Sequence, residues 1–181
     1  MMDTSNARLP LYVAAGATAR GKQVRTRGTR VAELRILCAD DNVHVLSLFD
    51  QTFRAAGHRV RLATDGRAAI TLLAKDPKEF DVLITDTRMP QLDGFGVIAA
   101  ARTIGFRGEI IVFAGEVREG EEQRYSDLGI DTIIRKPDED GRLRQRIAHI
   151  AAQKTRREHR SAQAPEKGFS YAEKGFGAKT R

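Results

Sequence analysis

Three short runs constrain this chain more than any other feature: LRILCA (34–39), DVLIT (81–85) and EIIVFA (109–114). Each is almost continuously apolar, rich in Ile, Leu and Val, and too short for a helix. Such a run buries both faces of its pleat, as a central strand of a parallel sheet covered on two sides must. Between the runs the pattern changes period. Val43, Leu46, Phe49, Phe53 and Ala56 form a helical stripe closed by Gly57, where a helix C-terminus favours glycine. RVRLA (59–63) alternates basic and apolar residues, the mark of a half-exposed strand. A second helix opens at Ala68–Leu73, a third covers 94–102, a fourth is expected over 117–129 up to Gly129, and DTIIR (131–135) supplies the fifth strand. The last helix is expected from Asp138 to about Gln153. Strands alternating with helices imply an α/β fold: a doubly wound, five-stranded parallel sheet with right-handed crossovers and helices on both faces.

Charge divides the chain. Of the net +7, residues 1–32 contribute +5 and residues 152–181 another +5, which leaves the middle at −3. A mildly acidic domain, placed at 33–153, is thus expected between a basic, disordered N-terminal arm (1–32) and a basic C-terminal tail (154–181). The single cysteine, Cys38, sits inside an apolar run. It cannot form an internal disulfide framework, so it reads as a buried strand thiol in a reducing, cytoplasmic setting. No apolar run approaches the ~20 residues of a membrane span.

In a doubly wound sheet, ligands bind beyond the carboxyl ends of the strands. Asp40 and Asp41 follow the first strand, Asp86 the third, and Lys136 and Pro137 the fifth. Carboxylates gathered together repel unless a cation lies among them. Oxygen ligands of this kind suit Mg²⁺, which shares its coordination with water and phosphate oxygens. Lys136 adds a compact positive charge for an anion. The combination fits phosphoryl transfer.

Those residues carry a resemblance. DD after the first strand, LITDTRMPQLDG around the third and KP after the fifth resemble the receiver domain of bacterial two-component response regulators, over about residues 33–153. The resemblance implies a flavodoxin-like, CheY-like (βα)5 sandwich. It implies that Asp86 is the phosphoryl acceptor, supplied by a histidine kinase or phosphotransfer protein, and that Lys136 contacts the phosphoryl group. It further implies that Mg²⁺ is held by Asp41, by Asp40 largely through water, by Asp86 and by the backbone carbonyl of Arg88. The bond before Pro137 is expected to be cis. Met89 matches the family pattern without chemistry of its own, while Pro90, Asp93 and Gly94 are expected to hold the loop after the acceptor.

The chain departs from that family at two positions. The Ser/Thr switch position falls on Ala114 and the aromatic switch position on Ile133. A methyl group cannot donate the hydrogen bond that a hydroxyl gives a phosphoryl oxygen. Acceptor chemistry is expected to survive this loss and conformational readout to weaken.

Other readings compete. Asp40 and Asp41 are also suited to capping the first helix. Arg88 and Glu116 can pair over the pocket mouth, although two solvated charges are the simpler expectation. His44, His58, His149 and His159 are scattered and read as surface histidines. EKGF occurs at 166–169 and 173–176, and Phe169, Tyr171 and Phe176 suit a short docking motif. With no output domain visible, the signal is expected to pass by contact with an unknown downstream protein. The rivals are a degenerate receiver acting as a constitutive binding module, and a regulator whose basic ends bind nucleic acid; the latter is less favoured because no DNA-binding fold follows. An enzyme is not expected: a phosphohydrolase on this sheet calls for an acid two residues past the nucleophile, where Arg88 stands.

Overall fold

A computed structural model of the chain describes residues 31–130 and 132–163. The order is β1 Arg35–Ala39, α1 Val43–Ala55, β2 Arg59–Ala63, α2 Gly66–Lys75, β3 Val82–Thr85, α3 Gly94–Thr103, β4 Glu109–Ala114, α4 Glu121–Asp127, β5 Ile133–Arg135 and α5 Arg142–Ala162. All pairings are parallel, in the order β2-β1-β3-β4-β5. The expected α/β class is therefore present, and the order reverses between β1 and β3. At that point the two neighbouring crossovers leave on opposite faces and open a crevice.

The three apolar runs form the centre of the sheet because their successive side chains alternate between two cores. Leu37, Leu83, Ile110 and Val112 pack with Leu73 of α2, Val97 and Ile98 of α3 and Tyr125 of α4. Ile36, Cys38, Ile84, Ile111 and Phe113 pack with Leu46, Phe49 and Phe53 of α1 and with Leu143 and Ile147 of α5. Each fully buried Leu, Ile or Phe contributes roughly 1.5–3 kcal/mol. Cys38 is fully buried, and burial pushes its thiol pKa up, so it is an inert core residue. β2 lies at the edge, with Arg59 and Arg61 exposed as the alternation requires; Leu62 is the exception, exposed although apolar.

Several boundaries differ from expectation. α4 starts at Glu121 rather than 117, because Gly120 takes a left-handed φ of 79° and the Arg118 N–H is turned onto the Glu121 carboxylate. α5 starts after Gly141, at φ 66°, while the Asp138 carboxylate accepts the free N–H groups of Arg142 and Leu143. It then runs to Ala162, nine residues beyond the expected end. Nothing in QKTRREHRSA breaks a helix, and Thr155 is buried against the domain. Ala32, assigned to the N-terminal arm, is buried too, its N–H donating to Thr155 Oγ1 at 2.7 Å. Residues 1–30 of that arm, Asp131, both EKGF copies and the aromatics Phe169, Tyr171 and Phe176 lie outside the described residues.

Candidate phosphoryl-acceptor site

The site is built at the carboxyl ends of β1, β3 and β5. Asp86 follows β3, and its N–H donates to Ala39 O at 2.9 Å, tying it to the end of β1. The following loop turns back on itself. Gly94 N–H donates to Thr87 O at 3.0 Å, and a β-carbon at Gly94 would stand 2.1 Å from Asp86 O. Only glycine allows that approach. Asp93 caps α3 by accepting from Gly96 N–H at 2.8 Å. The expected role of Asp93 and Gly94 in holding this loop has this physical basis.

Lys136 completes the site. Its backbone N–H donates to Ala114 O at 2.7 Å, and the bond to Pro137 is cis. Its Nζ donates to Asp40 Oδ2 at 2.6 Å and to Asp86 Oδ1 at 2.8 Å, although the three residues are far apart in sequence. The second oxygen of each carboxylate accepts a backbone N–H: Asn42 donates to Asp40 Oδ1 at 2.9 Å and Arg88 to Asp86 Oδ2 at 3.0 Å. Asp40 is 1% exposed. Burial pushes its carboxyl above the usual range, more than Lys136 and the Asn42 N–H pull it down. Lys136 loses by its own burial, but its hydrogen bonds to Asp40 and Asp86 outweigh that and hold its pKa above the ordinary lysine value.

Neither aspartate caps α1. Asn42 does so, accepting from His44 N–H at 2.9 Å, and this corrects the capping reading of Asp40 and Asp41. Asp41 is exposed and makes no hydrogen bond or ion pair among the described residues. Among those residues no three His, Cys, Asp or Glu side chains stand close enough to hold a metal ion. The core of the site is thus two buried carboxylates on one ammonium, with Asp41 beside them in solvent. This donor set nevertheless fits Mg²⁺. It consists of hard oxygens, it carries more negative than positive charge, and Mg²⁺ needs only one or two carboxylates beside its waters.

Arg88 stands over the site. Its guanidinium lies 3.9 Å from Glu116, as the sequence allowed, and 3.6 Å from Glu121, which sequence reasoning missed. The Glu116 pair is exposed and the Glu121 pair half-buried, and solvent screening keeps both contributions small. Ala114 is fully buried at the end of β4, and Ile133 packs into the core facing α2–α4. Next to them is a small cleft lined by Thr87, Arg88, Phe95, Arg124 and Tyr125. Arg124 stacks on Phe95 at 4.3 Å, and the buried Tyr125 hydroxyl is pushed up to about 12, by burial first and then by Glu121, Asp93 and Asp86. An aromatic pair on α3 and α4 therefore flanks the site where β5 carries none. Its only sequence signal was Phe95 and Tyr125 on helix faces. His58 also differs from expectation: it is buried, and its Nδ1 accepts the Leu34 N–H at 3.3 Å.

Comparison with known proteins agrees with this fold. The sequence model of the response regulator receiver domain matches residues 36–148. The response regulator MprA of Mycolicibacterium vanbaalenii is 34% identical over 104 residues, covering 58% of this chain and 44% of that protein. The virulence sensor protein BvgS of Bordetella bronchiseptica is 33% identical over 159 residues, 84% of this chain but 12% of that protein. The chain thus spans less than half the length of these curated relatives. Among solved structures, the receiver domain of a Pseudomonas aeruginosa sensor histidine kinase, with a magnesium ion coordinated in its active-site cleft, is 27% identical. It has a TM-score of 0.57 and covers 67% of this chain and 99% of its own. With the sheet order, the Lys136 bridge and the matched sequence in agreement, the chain belongs to the response regulator receiver family of two-component phosphorelay signalling.

Proposed function

We propose that Asp86 takes a phosphoryl group from a phosphohistidine of a histidine kinase or phosphotransfer protein, with Mg²⁺ required. The observation that carries this is Lys136 Nζ bridging Asp40 and Asp86 at 2.6 and 2.8 Å. It fixes the orientation of the Asp86 carboxylate and places a cation where a phosphoryl oxygen arrives. An Asp86 oxygen attacks phosphorus and a P–O bond forms. The P–N bond breaks, its electron pair stays on the imidazole nitrogen, and an acyl phosphate results. Asp40, Asp41, Asp86 and the Arg88 carbonyl would hold Mg²⁺, which when bound neutralises charge on the phosphoryl oxygens.

The donor needs a surface beside the site. Val43 and Leu48 of α1 are each 61% exposed. A cleft of about 560 Å³ lined by Val45, Leu48, Phe49, Phe113, Lys136 and Pro137 opens next to the bridging lysine. An apolar helix face of the donor suits it.

A second reading, a constitutive binding module, is favoured by the methyl group of Ala114 and by Ile133. One experiment separates the two. The protein is incubated with Mg²⁺ and a small acyl- or amido-phosphate donor, then weighed intact beside Asp86→Ala. A phosphoryl mass on the wild type alone is expected. No phosphoryl mass, with Mg²⁺ binding also absent, selects the binding module.

A further inference from the structure

The sheet has a second charged end. Asp81 precedes β3, at the pole opposite Asp86, and there it accepts from the Arg35 N–H and guanidinium and from Lys154 Nζ of α5 at 2.9 Å. A cleft of about 520 Å³ opens at this pole, between the α2–β3 loop, the α3–β4 loop and α5. Its two acids are already engaged, Asp81 by Arg35 and Lys154 and Glu109 by Arg146. Three further lining cations, Lys78, Arg107 and Arg157, are exposed and make no ion pair among the described residues. Asp76 and Glu79, on the same loop as Lys78, do not line the cleft.

Beyond the cleft α5 leaves the domain. Every residue from Arg156 to Gln163 is exposed, and the stretch carries Arg156, Arg157, His159 and Arg160 against the single acid Glu158. It projects about 10 Å past Thr155 at 1.5 Å per residue. Both chain extensions join the fold at this same pole, because Ala32 hydrogen-bonds Thr155. Residues 1–30 hold six Lys/Arg and one Asp, and residues 164–181 four Lys/Arg and two Glu. The sequence showed basic ends; it did not show that Ala32 and Thr155 meet beside these unpaired cations.

We propose that this pole binds the phosphate backbone of nucleic acid without reading its sequence, through Lys78, Arg107 and Arg157 on the cleft and Arg156 and Arg160 on the projecting helix. Nucleic acid presents phosphates in closely spaced series, which suits several cations spread over a cleft and a helix face. A membrane surface fits poorly, since a peripheral helix needs an apolar face and Arg156–Ala162 has none. Base readout is not expected, because phosphate contacts carry no sequence information.

The test uses the full chain and its triple variant Lys78→Ala/Arg107→Ala/Arg157→Ala, with labelled single-stranded RNA and duplex DNA titrated over a range of KCl. The wild type is expected to bind both, with affinity falling steeply with salt. The variant is expected to lower the slope of log K against log salt by about 2–3, from roughly 0.7–0.9 per phosphate contact. Phosphoryl uptake at Asp86 serves as the fold control and is expected to be unchanged. The proposal is overturned if the wild type fails to bind at low salt. It is also overturned if the variant keeps the full slope, or if vesicles of anionic phospholipid displace the nucleic acid at equal phosphate concentration.

Discussion

If Asp86 takes a phosphoryl group as proposed, the side chain at position 114 bears on how much of that event the rest of the molecule feels. It is fully buried at the end of β4, and its carbonyl fixes the backbone of Lys136. The position therefore adjoins the Asp40–Lys136–Asp86 cluster but offers it only a methyl group. A hydroxyl there would add a hydrogen bond made in the phosphorylated state alone, a differential of about 1–3 kcal/mol. That equals a typical coupling energy. NMR spectra of the wild type with and without phosphate are accordingly expected to differ near Asp86 and to agree along β5 and α4. Ala114→Thr is expected to spread the differences into both elements. Large, cooperative shifts there in the wild type would show instead that another group carries the signal. Thr87, Phe95 and Tyr125, which line the neighbouring cleft, are the side chains placed to do so.

Among the elements, α5 holds the chain together. Thr155 is buried, accepts the Ala32 N–H at 2.7 Å and donates to Ala151 O at 3.0 Å. Thr155→Val keeps the shape and strands the Ala32 N–H, so a loss of about 1–3 kcal/mol is expected, read as a lower urea midpoint with an unchanged slope. An unchanged midpoint would mean that this contact frays in solution. The element shows why legibility stopped where it did. β1, β3 and β4 were readable because burial on both faces leaves a continuous apolar run, and the Asp40, Asp86 and Lys136 positions followed from strand ends. The far end of α5 was not readable. Its anchors are one threonine hydroxyl and the Lys154–Asp81 pair, polar contacts between residues 73 or more apart that leave no period in the sequence. The start of α4 failed for a local reason, the left-handed Gly120, which stands before the helix rather than within it. His58 was misread because a histidine accepting a backbone N–H looks, in sequence, like any loop histidine.

Across the whole molecule, the buried ionisable groups respond to acid with opposite signs. At the basic pole, burial raises the Asp81 carboxyl, but hydrogen bonds from Arg35 and Lys154 outweigh this and hold its pKa below the usual value. Its contribution is complete at neutral pH and is lost as pH falls below about 4, where the unfolded chain takes up the proton first. His58 behaves alike at higher pH: burial lowers its pKa, so stability declines as pH falls from about 6.5 toward the folded value. Asp40 runs the other way. Its folded pKa is raised by burial, so its contribution is largest in acid and is lost as pH rises through that value. The unfolding midpoint of the wild type is therefore expected to dip first below about pH 6.5 and again below about pH 4. His58→Gln is expected to remove the first step and Asp81→Asn the second, while Asp40→Asn steepens the acid loss by removing the group that opposes it. Urea titrations at successive pH values read all three. A wild-type midpoint constant between pH 8 and 5 would show that His58 titrates in the folded chain as it does in the unfolded one. An Asp81→Asn variant that still loses stability below pH 4 to the same extent would place the acid sensitivity elsewhere than at the junction of β1, β3 and α5.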